Sequence, residues 1–566
     1  MHATASGRAP WRRFLALVAA GALLAAGCGG DDDAGGGPSE SSPDEVLEPV
    51  AGGTLIYGVE ADTATPWTPQ NSVCATSCHM VMRTVYDTLT LFGEDGEIRP
   101  YLAESVEPNA DFTEWTLTPR QGVLFHDGTP FDAAAICDNL SRHLTSILTG
   151  KALLSIDGGP DDPEGPGPHV NTDGSACVVP MKKPWSSFDV YLSGQIGYMA
   201  SPTYLAAAAA DTTGQVAAEP VGTGPFVFES YEPGGSFVAT KNPSYWRAAE
   251  GLPYLDRVEM RVFVDVQSRV NALRDGTIDM AHLSNGEFIS DLRDEDSIEL
   301  LETDTFGESS YLLMNNRDPV LSDIRVRRAL ALATDRESIS RDREAEVEPP
   351  ANGPFSPSQV GYLEDSGYPD FDMEEAIALV EEYEAENGPL TITFNTTNDP
   401  YNAETNEFIA ANWQAAGIDV NINTVEQGSL IGDALTGDFQ IFLWRNHGGV
   451  DPDTQRVWWH SETGELSPTS PLALNFGGID DPDIDAQFEI IRTSDDEAAR
   501  QEAAEEINRI FGEQVYNLWL TWNVWGLPHK PTVHGIEDFT FPGGGGTVSG
   551  AGIAGTHQVV QMWVEQ

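Results

Sequence analysis

Basic residues are scarce in this chain of 566 residues, in which 30 lysines and arginines stand against 89 aspartates and glutamates, for a formal net charge of -59. The five lysines are Lys151, Lys182, Lys183, Lys241 and Lys530. A field of this sign repels phosphate backbones, which argues against a nucleic-acid partner. It does not point to a cationic substrate, because scattered surface carboxylates serve solubility. An acidic surface poor in lysine would suit a saline habitat, which is a hypothesis about the environment.

Long apolar runs are also few. The one from Phe14 to Gly27, which follows Arg8, Arg12 and Arg13, falls short of the roughly 18 apolar residues that span a bilayer. A basic segment, a short apolar run and small residues before a cysteine are typical of a cleaved export signal. We therefore expect the remainder of the chain to be soluble and to lie outside the cytoplasm.

Cys28 closes this signal. The segment from Leu24 to Cys28 resembles the bacterial lipobox, in which the cysteine becomes the lipidated first residue of the mature protein, although Ala25 stands where leucine is usual. The alternative is an ordinary signal peptide with an incidental cysteine. We predict a lipoprotein signal peptide over residues 1–27, lipidation of Cys28, and a flexible acidic tether over residues 28–51, which are rich in Gly, Asp, Ser and Pro. The protein would then be anchored to the outer face of the cell membrane or be periplasmic.

The other four cysteines are Cys74, Cys78, Cys137 and Cys177. An even number in an exported protein favours disulfides over a metal site, and no matching Cys/His pair stands near Cys74 and Cys78. Four cysteines allow three pairings, of which we predict Cys74–Cys78 and Cys137–Cys177.

Common catalytic signatures are missing, since the sequence contains no His-Glu-x-x-His, no Gly-x-Ser-x-Gly and no Ser-x-x-Lys. The pair His126-Asp127 is better explained as part of a turn before a helix than as an acid and base. The segment that starts at Asp481 begins like a calcium loop, but Ala486 and Arg492 occupy positions where an EF-hand needs glycine and glutamate. We predict no catalytic residue, no metal site and no cofactor.

Apolar periodicity indicates helices and strands in alternation. The spacing over 323–340 predicts a helix with Asp323 as its N-cap. After residue 370 the predicted helices (373–386, 406–416 and 498–511) alternate with predicted strands (390–395, 420–425 and 440–444), which is the order of an α/β protein.

Five segments carry a family resemblance in the same chain order: residues 115–131, 220–226, 242–246, 273–279 and 314–336. With them the chain resembles, from about residue 52 to its end, the family 5 extracytoplasmic solute-binding proteins of ABC importers, a group with dipeptide-, oligopeptide- and nickel-binding receptors. Each segment alone is weak, but their order behind a lipobox is specific.

The resemblance implies a two-lobed periplasmic-binding-protein fold (α/β, type II, cluster C-like) with strands that cross a hinge and a ligand cleft between the lobes. Lobe I would span 52–312, with an inserted subdomain at about 98–220, lobe II would span 313–522, and residues 523–566 would return to lobe I. The crossings are expected near 311–314 and 518–522. Ligand contacts to both lobes would favour a closed state that the membrane permease recognises.

The resemblance also implies where ligand binds. In peptide-binding relatives an aspartate just after the tryptophan that corresponds to Trp444 pairs with the peptide ammonium group, and here Arg445, Asn446 and His447 follow. Dipeptide receptors place an arginine for the ligand carboxylate in the segment that here holds Asn398, Asp399 and Tyr401. Both charged anchors are therefore expected to be missing, which disfavours free dipeptides because a sealed zwitterion needs its charges paired.

Aromatic rings complete the predicted site, because Trp444, Trp67 and Tyr57 can enclose apolar side chains or stack on sugars. The alternative for each is packing in the core. His447 would suit a nickel-type receptor but has no clustered partners. We predict a non-enzymatic, monomeric, lipid-anchored receptor that delivers a solute, a peptide before other classes, to an ABC permease. An oligosaccharide receptor is the alternative, and an exported hydrolase or a sensor is the alternative from another class.

Overall fold

The computed structural model describes residues 47–566 except 63–65, 160–161, 163, 447, 469, 538 and 549–551. Cys28, the signal segment and nearly all of the tether lie outside the described residues. Within the described part of the chain, no helix combines the length and the apolar character needed to cross a membrane.

The described residues form twenty strands and fourteen α-helices. The strands are β1 (Thr54–Val59), β2 (Thr90–Phe92), β3 (Ile98–Pro100), β4 (Ala103–Pro108), β5 (Glu114–Pro119), β6 (His169–Val170), β7 (Cys177–Pro180), β8 (Phe226–Glu232), β9 (Ser236–Lys241), β10 (Arg257–Val262), β11 (Met280–Ala281), β12 (Glu299–Thr303), β13 (Ser309–Met314), β14 (Thr391–Thr397), β15 (Asp419–Val425), β16 (Ile441–Asn446), β17 (Asn517–Trp522), β18 (Trp525–His529), β19 (Val533–His534) and β20 (Trp563–Val564). The helices are α1 (Thr76–Val85), α2 (Ala133–Thr145), α3 (Phe188–Tyr191), α4 (Pro202–Ala210), α5 (Val266–Arg274), α6 (Gly286–Leu292), α7 (Ile324–Leu332), α8 (Arg336–Asp342), α9 (Met373–Asn387), α10 (Pro400–Ala415), α11 (Gln427–Thr436), α12 (Arg456–Trp459), α13 (Pro482–Thr493) and α14 (Glu497–Gln514).

A seven-stranded sheet, in the order β12-β18-β11-β1-β10-β9-β8, organises the first lobe. Strand β1 lies inside it and pairs in parallel with β10 on one side and β11 on the other. Because β1 is covered on both faces, it reads as a nearly continuous apolar run, in which Leu55, Tyr57 and Val59 are buried.

A five-stranded sheet, in the order β15-β14-β16-β13-β17, organises the second lobe. Strand β14 is parallel to both neighbours, whereas β13 is antiparallel to β16 and β17. Its core holds large side chains such as Trp413, Trp459 and Trp519. The Trp413 indole N–H donates to the Thr334 hydroxyl at 3.0 Å, so its polar atom is satisfied inside the core.

A four-stranded sheet, in the order β4-β5-β7-β6, packs with α2 around a separate apolar cluster. The Cys137–Cys177 disulfide joins α2 to β7, and Cys74–Cys78 closes the loop that enters α1. Both predicted disulfide pairings are therefore confirmed.

The chain passes between the seven-stranded sheet and the five-stranded sheet twice. It leaves β12 and enters β13 through residues 304–308, and it returns from β17 to β18 through Asn523 and Val524. The segments predicted to cross, 311–314 and 518–522, lie inside the neighbouring strands β13 and β17, so both changes of sheet fall just outside them. The lobe bounds given above stay a prediction.

Candidate functional site

A cavity of about 420 Å³ separates the two lobes, a volume within the range of small-molecule sites. The first lobe contributes Glu60 after β1, the start of α1 and residues around 190–196, and the second lobe contributes the ends of β14 and β16 and one face of α11. Apolar side chains dominate the wall: Val73, Leu148, Ile196, Val264, Leu430, Ile431, Leu443, Trp444, Val457, Trp458 and Phe476. Such a wall accommodates apolar groups of a ligand.

Three strands meet at this cavity with their carboxyl ends. Glu60 follows β1, Asp399 lies two residues beyond β14, and Arg445 is the last residue but one of β16. In open α/β sheets ligands bind at the carboxyl ends of parallel strands, because loops and side chains there converge from both sides. The topology therefore brings together charged residues that are remote in sequence.

Arg445 and Glu60 form an ion pair between the lobes, with Nη1 of Arg445 3.5 Å from Oε2 of Glu60. The guanidinium also lies over the Trp525 ring, 5.3 Å from its centroid. Burial alone would raise the pKa of Glu60, but the positive charges of Arg445, His282 and Arg269 outweigh it and lower the pKa to about 2. Glu60 is therefore an anion at any physiological pH.

Asp399 caps α10, where its carboxylate accepts a hydrogen bond from the Tyr401 backbone N–H at 2.8 Å. Burial raises its pKa, and the Tyr401 and Asn402 backbone N–H groups and Arg445 only partly offset this. A cation that enters the cavity beside Asp399 would stabilise its charged form.

Trp444 and Trp458 form an aromatic corner of the cavity. Both are half-buried and both pack on Phe476, with ring centroids 5.3 Å and 5.4 Å away. Their remaining exposed faces point to apolar or stacking contacts with a ligand.

A family model described as bacterial extracellular solute-binding proteins, family 5 Middle, matches residues 97–466. The chain belongs to this family. Di/tripeptide-binding protein 2 of Pseudomonas aeruginosa is 27% identical over 466 residues, which cover 76% of this chain and 82% of the relative. The glutathione-binding protein GsiB of Pectobacterium atrosepticum is 25% identical over 436 residues, or 74% of this chain and 79% of that protein.

The fold of this family 5 solute-binding protein is also that of solved relatives. The periplasmic binding protein DppA of Helicobacter pylori, in complex with the peptide STSA, superposes with a TM-score of 0.78 at 20% identity, over 91% of this chain and 99% of that one. The predicted two-lobed α/β fold is thereby confirmed, and the family places the protein outside the cytoplasm.

Four residues predicted for the site of this solute-binding protein line the cavity next to Trp444: Arg445, Asn446, Asn398 and Asp399. Asn398 is exposed and its amide donates to Oε1 of Glu426 at 3.2 Å. The Asn446 amide is buried and donates to Oε1 of Gln455 at 2.6 Å, so it positions the loop after β16. His447 lies outside the described residues.

Three predicted aromatic contacts lie elsewhere. Trp67 is fully buried among Tyr231 and Phe237, and Tyr57 is fully buried in β1. Tyr401 is buried under Arg343, whose guanidinium lies 4.6 Å from the ring centroid. None of the three lines the cavity, so direct ligand contact by them has no support in this geometry.

Sequence reasoning missed Glu60, Gln427 and the pair Trp458 and Phe476. A signal existed for Glu60, because it follows an apolar β1 that reads as a buried parallel strand. No local pattern distinguishes Trp458 from a core residue. Among the residues that the structure describes, no group of three His, Cys, Asp or Glu side chains is placed to hold a metal ion.

Proposed function

We propose that this protein captures a peptide in the cavity between its lobes and delivers it to the membrane permease of an ABC importer, without itself catalysing a reaction. The observation that carries the proposal is the combination of Glu60, Asp399 and Arg445 with an apolar, tryptophan-bearing wall. The named activities of the di/tripeptide-binding and glutathione-binding relatives support the same class.

The charged residues match the ends of a peptide. An ammonium group sealed from water needs a carboxylate, and a carboxylate needs a cation, because an unpaired buried charge is strongly unfavourable. Asp399 offers an acid for the ammonium group, although the sequence alone predicted that both anchors were missing, whereas Arg445 and Glu60 already pair with each other. We assign the ligand ammonium group to Asp399. Its carboxylate accepts hydrogen bonds only from backbone N–H groups, and it lies near Arg445.

The wall of the cavity supports peptides over sugars. Apolar side chains on both lobes suit the varied side chains of a peptide, whereas sugar hydroxyls need a dense set of polar partners. One observation favours an oligosaccharide instead, namely that Trp444 and Trp458 both face the cavity and can stack on sugar rings.

Ligand-induced stabilisation tests the proposal. The melting temperature of the purified chain is recorded with di-, tri- and longer peptides, oligosaccharides and nickel chloride, since a ligand at a hundredfold excess over Kd stabilises by roughly 2.7 kcal/mol. We expect shifts with peptides, including trileucine. A shift with sugars alone would refute the peptide class, and product release detected by mass spectrometry would refute the non-enzymatic role.

The assignment of Asp399 is tested by Asp399→Asn. We expect this variant to bind trileucine roughly 10- to 100-fold more weakly, because a charge-assisted hydrogen bond is lost. N-acetylated trileucine, which has no ammonium group, should bind the variant and the original protein alike. Asp294→Asn is the matched control, because Asp294 is exposed on the surface. Equal loss for both ligands would contradict the assignment.

A further inference from the structure

Arg83 is a buried cation without a counter-charge among the described residues. It is in the last turn of α1 and is 9% exposed. Its Nε is buried without a hydrogen-bond partner, and no described residue forms an ion pair or a hydrogen bond with its guanidinium. A guanidinium carries five donors and stays charged, so burial without an acceptor is strongly unfavourable.

The side chain of Arg83 lines a small cavity of about 30 Å³, together with Ser193, Thr556, His557 and Gln558. This volume accommodates a single water-sized group or ion. The Nε2 atom of His557 is a second buried polar atom without a partner among the described residues. Its Nδ1 lies 3.4 Å from the Gly555 carbonyl, which can only accept, so the neutral ring carries its proton on Nδ1 and Nε2 is an acceptor; the donors that face the cavity are those of Arg83.

The small cavity is a neighbour of the ligand cavity. Phe92, Ser193 and Ile553 line both of them. A group at Arg83 would therefore lie next to the ligand cavity, with these shared side chains between the two.

The composition of the chain makes the unpaired arginine informative. Acidic residues outnumber basic ones 89 to 30, so carboxylates are abundant for pairing. Other buried arginines do have partners: Arg492 pairs with Asp453, whereas Arg269 and Arg327 donate to backbone carbonyls. A buried guanidinium that has neither a carboxylate nor a carbonyl partner among the described residues is suited to an anion from outside the fold.

We propose that Arg83 anchors a site for one small monovalent anionic group beside the ligand cavity. The group is either the carboxylate of the captured solute, which rests on the function proposed above, or a free anion such as chloride, which does not. In both cases the guanidinium donates hydrogen bonds to the anion and its buried charge is neutralised.

The free-anion source is tested without any ligand. The melting temperature of the full-length chain is compared in sodium chloride, sodium acetate and sodium gluconate at equal ionic strength, because general screening of the acidic surface is then the same. If the anion is free, chloride or acetate raises the melting temperature above that in gluconate, and Arg83→Gln removes the difference. Arg509→Gln, at an exposed ion pair with Glu505, should keep it.

The carboxylate source is tested with trileucine and trileucine amide, measured by titration calorimetry. If the ligand supplies the anion, Arg83→Gln weakens trileucine about 10- to 100-fold and leaves the amide unchanged. Arg83→Lys keeps the positive charge and replaces Arg83→Gln if that variant does not fold. We expect it to retain part of the preference for trileucine over trileucine amide. If neither small anions nor the carboxylate form shows dependence on Arg83, the site does not exist. Failure of trileucine to bind counts against the peptide proposal, and the salt comparison then decides on the anion site alone.

Discussion

Replacing Asp453 with alanine should destabilise the protein severely. Asp453 belongs to the second lobe and is fully buried, yet its carboxylate accepts hydrogen bonds from the first lobe, from the Trp185 indole N–H and the Ser187 hydroxyl, both at 2.8 Å. It also pairs with Arg492, whose Nε lies 3.0 Å away. The Arg492 guanidinium is itself buried and lies 4.0 Å from the centroid of the Trp185 ring.

The magnitude follows from what the substitution leaves behind. Removing one partner of a buried ion pair costs about 3–5 kcal/mol, because the other charge remains desolvated and unpaired. The orphaned Trp185 and Ser187 donors add to this, at about 1–3 kcal/mol for each unsatisfied buried group. We therefore expect Asp453→Ala to lower the free energy of unfolding by at least about 3 kcal/mol.

Urea unfolding followed by tryptophan fluorescence measures the effect as a shift of the midpoint. Glu505→Ala is the control, since Glu505 pairs with Arg509 at the surface, where such pairs contribute about 0–1 kcal/mol. A loss below about 1 kcal/mol for Asp453→Ala, equal to that of the control, would refute the reasoning that breaking this buried ion pair strongly destabilises the protein. Asp453→Asn, which retains an acceptor for the indole, should fall between the two.

Three further predictions concern other regions. Burial and the neighbouring Glu344 raise the pKa of Glu348 to about 8. The contribution of protonated Glu348 to the free energy of unfolding is therefore complete below the unfolded pKa of about 4.5 and is lost as the pH rises towards 8. Glu348→Gln should reduce this decline of the free energy of unfolding with pH, as measured by urea unfolding at several pH values from 5 to 8. Removing the Cys137–Cys177 disulfide, with a sequence separation of 40, should cost about 4 kcal/mol, against about 2 kcal/mol for Cys74–Cys78 with a separation of 4, and equal losses would contradict the loop-entropy argument. Cys28→Ser should abolish incorporation of labelled fatty acid and release the protein from membranes, whereas unchanged labelling would exclude the lipobox.

Local signals predicted the regular elements well. Asp323 was expected to cap a helix, and its carboxylate accepts from the Arg325 backbone N–H at 2.9 Å at the start of α7. The single helix predicted over 323–340 was wrong, because the chain forms two helices there, α7 and α8, and Asp335 caps the second by accepting from the Ser338 backbone N–H. The helix predicted over 373–386 is α9, which ends one residue later before Gly388. Such features depend on neighbours within a few residues, and so the sequence pattern contains them. Helix α10 begins at Pro400, six residues before its predicted start, because Asp399 caps it and proline suits its first position.

The site was harder to predict because its residues meet only through pairing between distant strands. Glu60 reaches Arg445 across 385 residues of sequence, and nothing near either residue indicates the other. Aromatic residues were the weakest guide, since Trp67 and Trp444 look alike in sequence while one is in the core and the other is at the cavity. Burial depends on which face of a sheet is covered, which is a tertiary property.

The two changes of sheet have a mechanical consequence. They leave from adjacent strands, since β13 and β17 are neighbours, and the Asn523 backbone N–H donates to the Glu308 carbonyl at 2.9 Å, which ties one connection to the other. Two adjacent, hydrogen-bonded connections oppose twisting and sliding of one lobe against the other, but they oppose rotation about the line that joins them much less. A solute held far from that line then has the longest lever arm, so weak contacts at the distal end of the cavity exert more torque on closure than equal contacts near the connections.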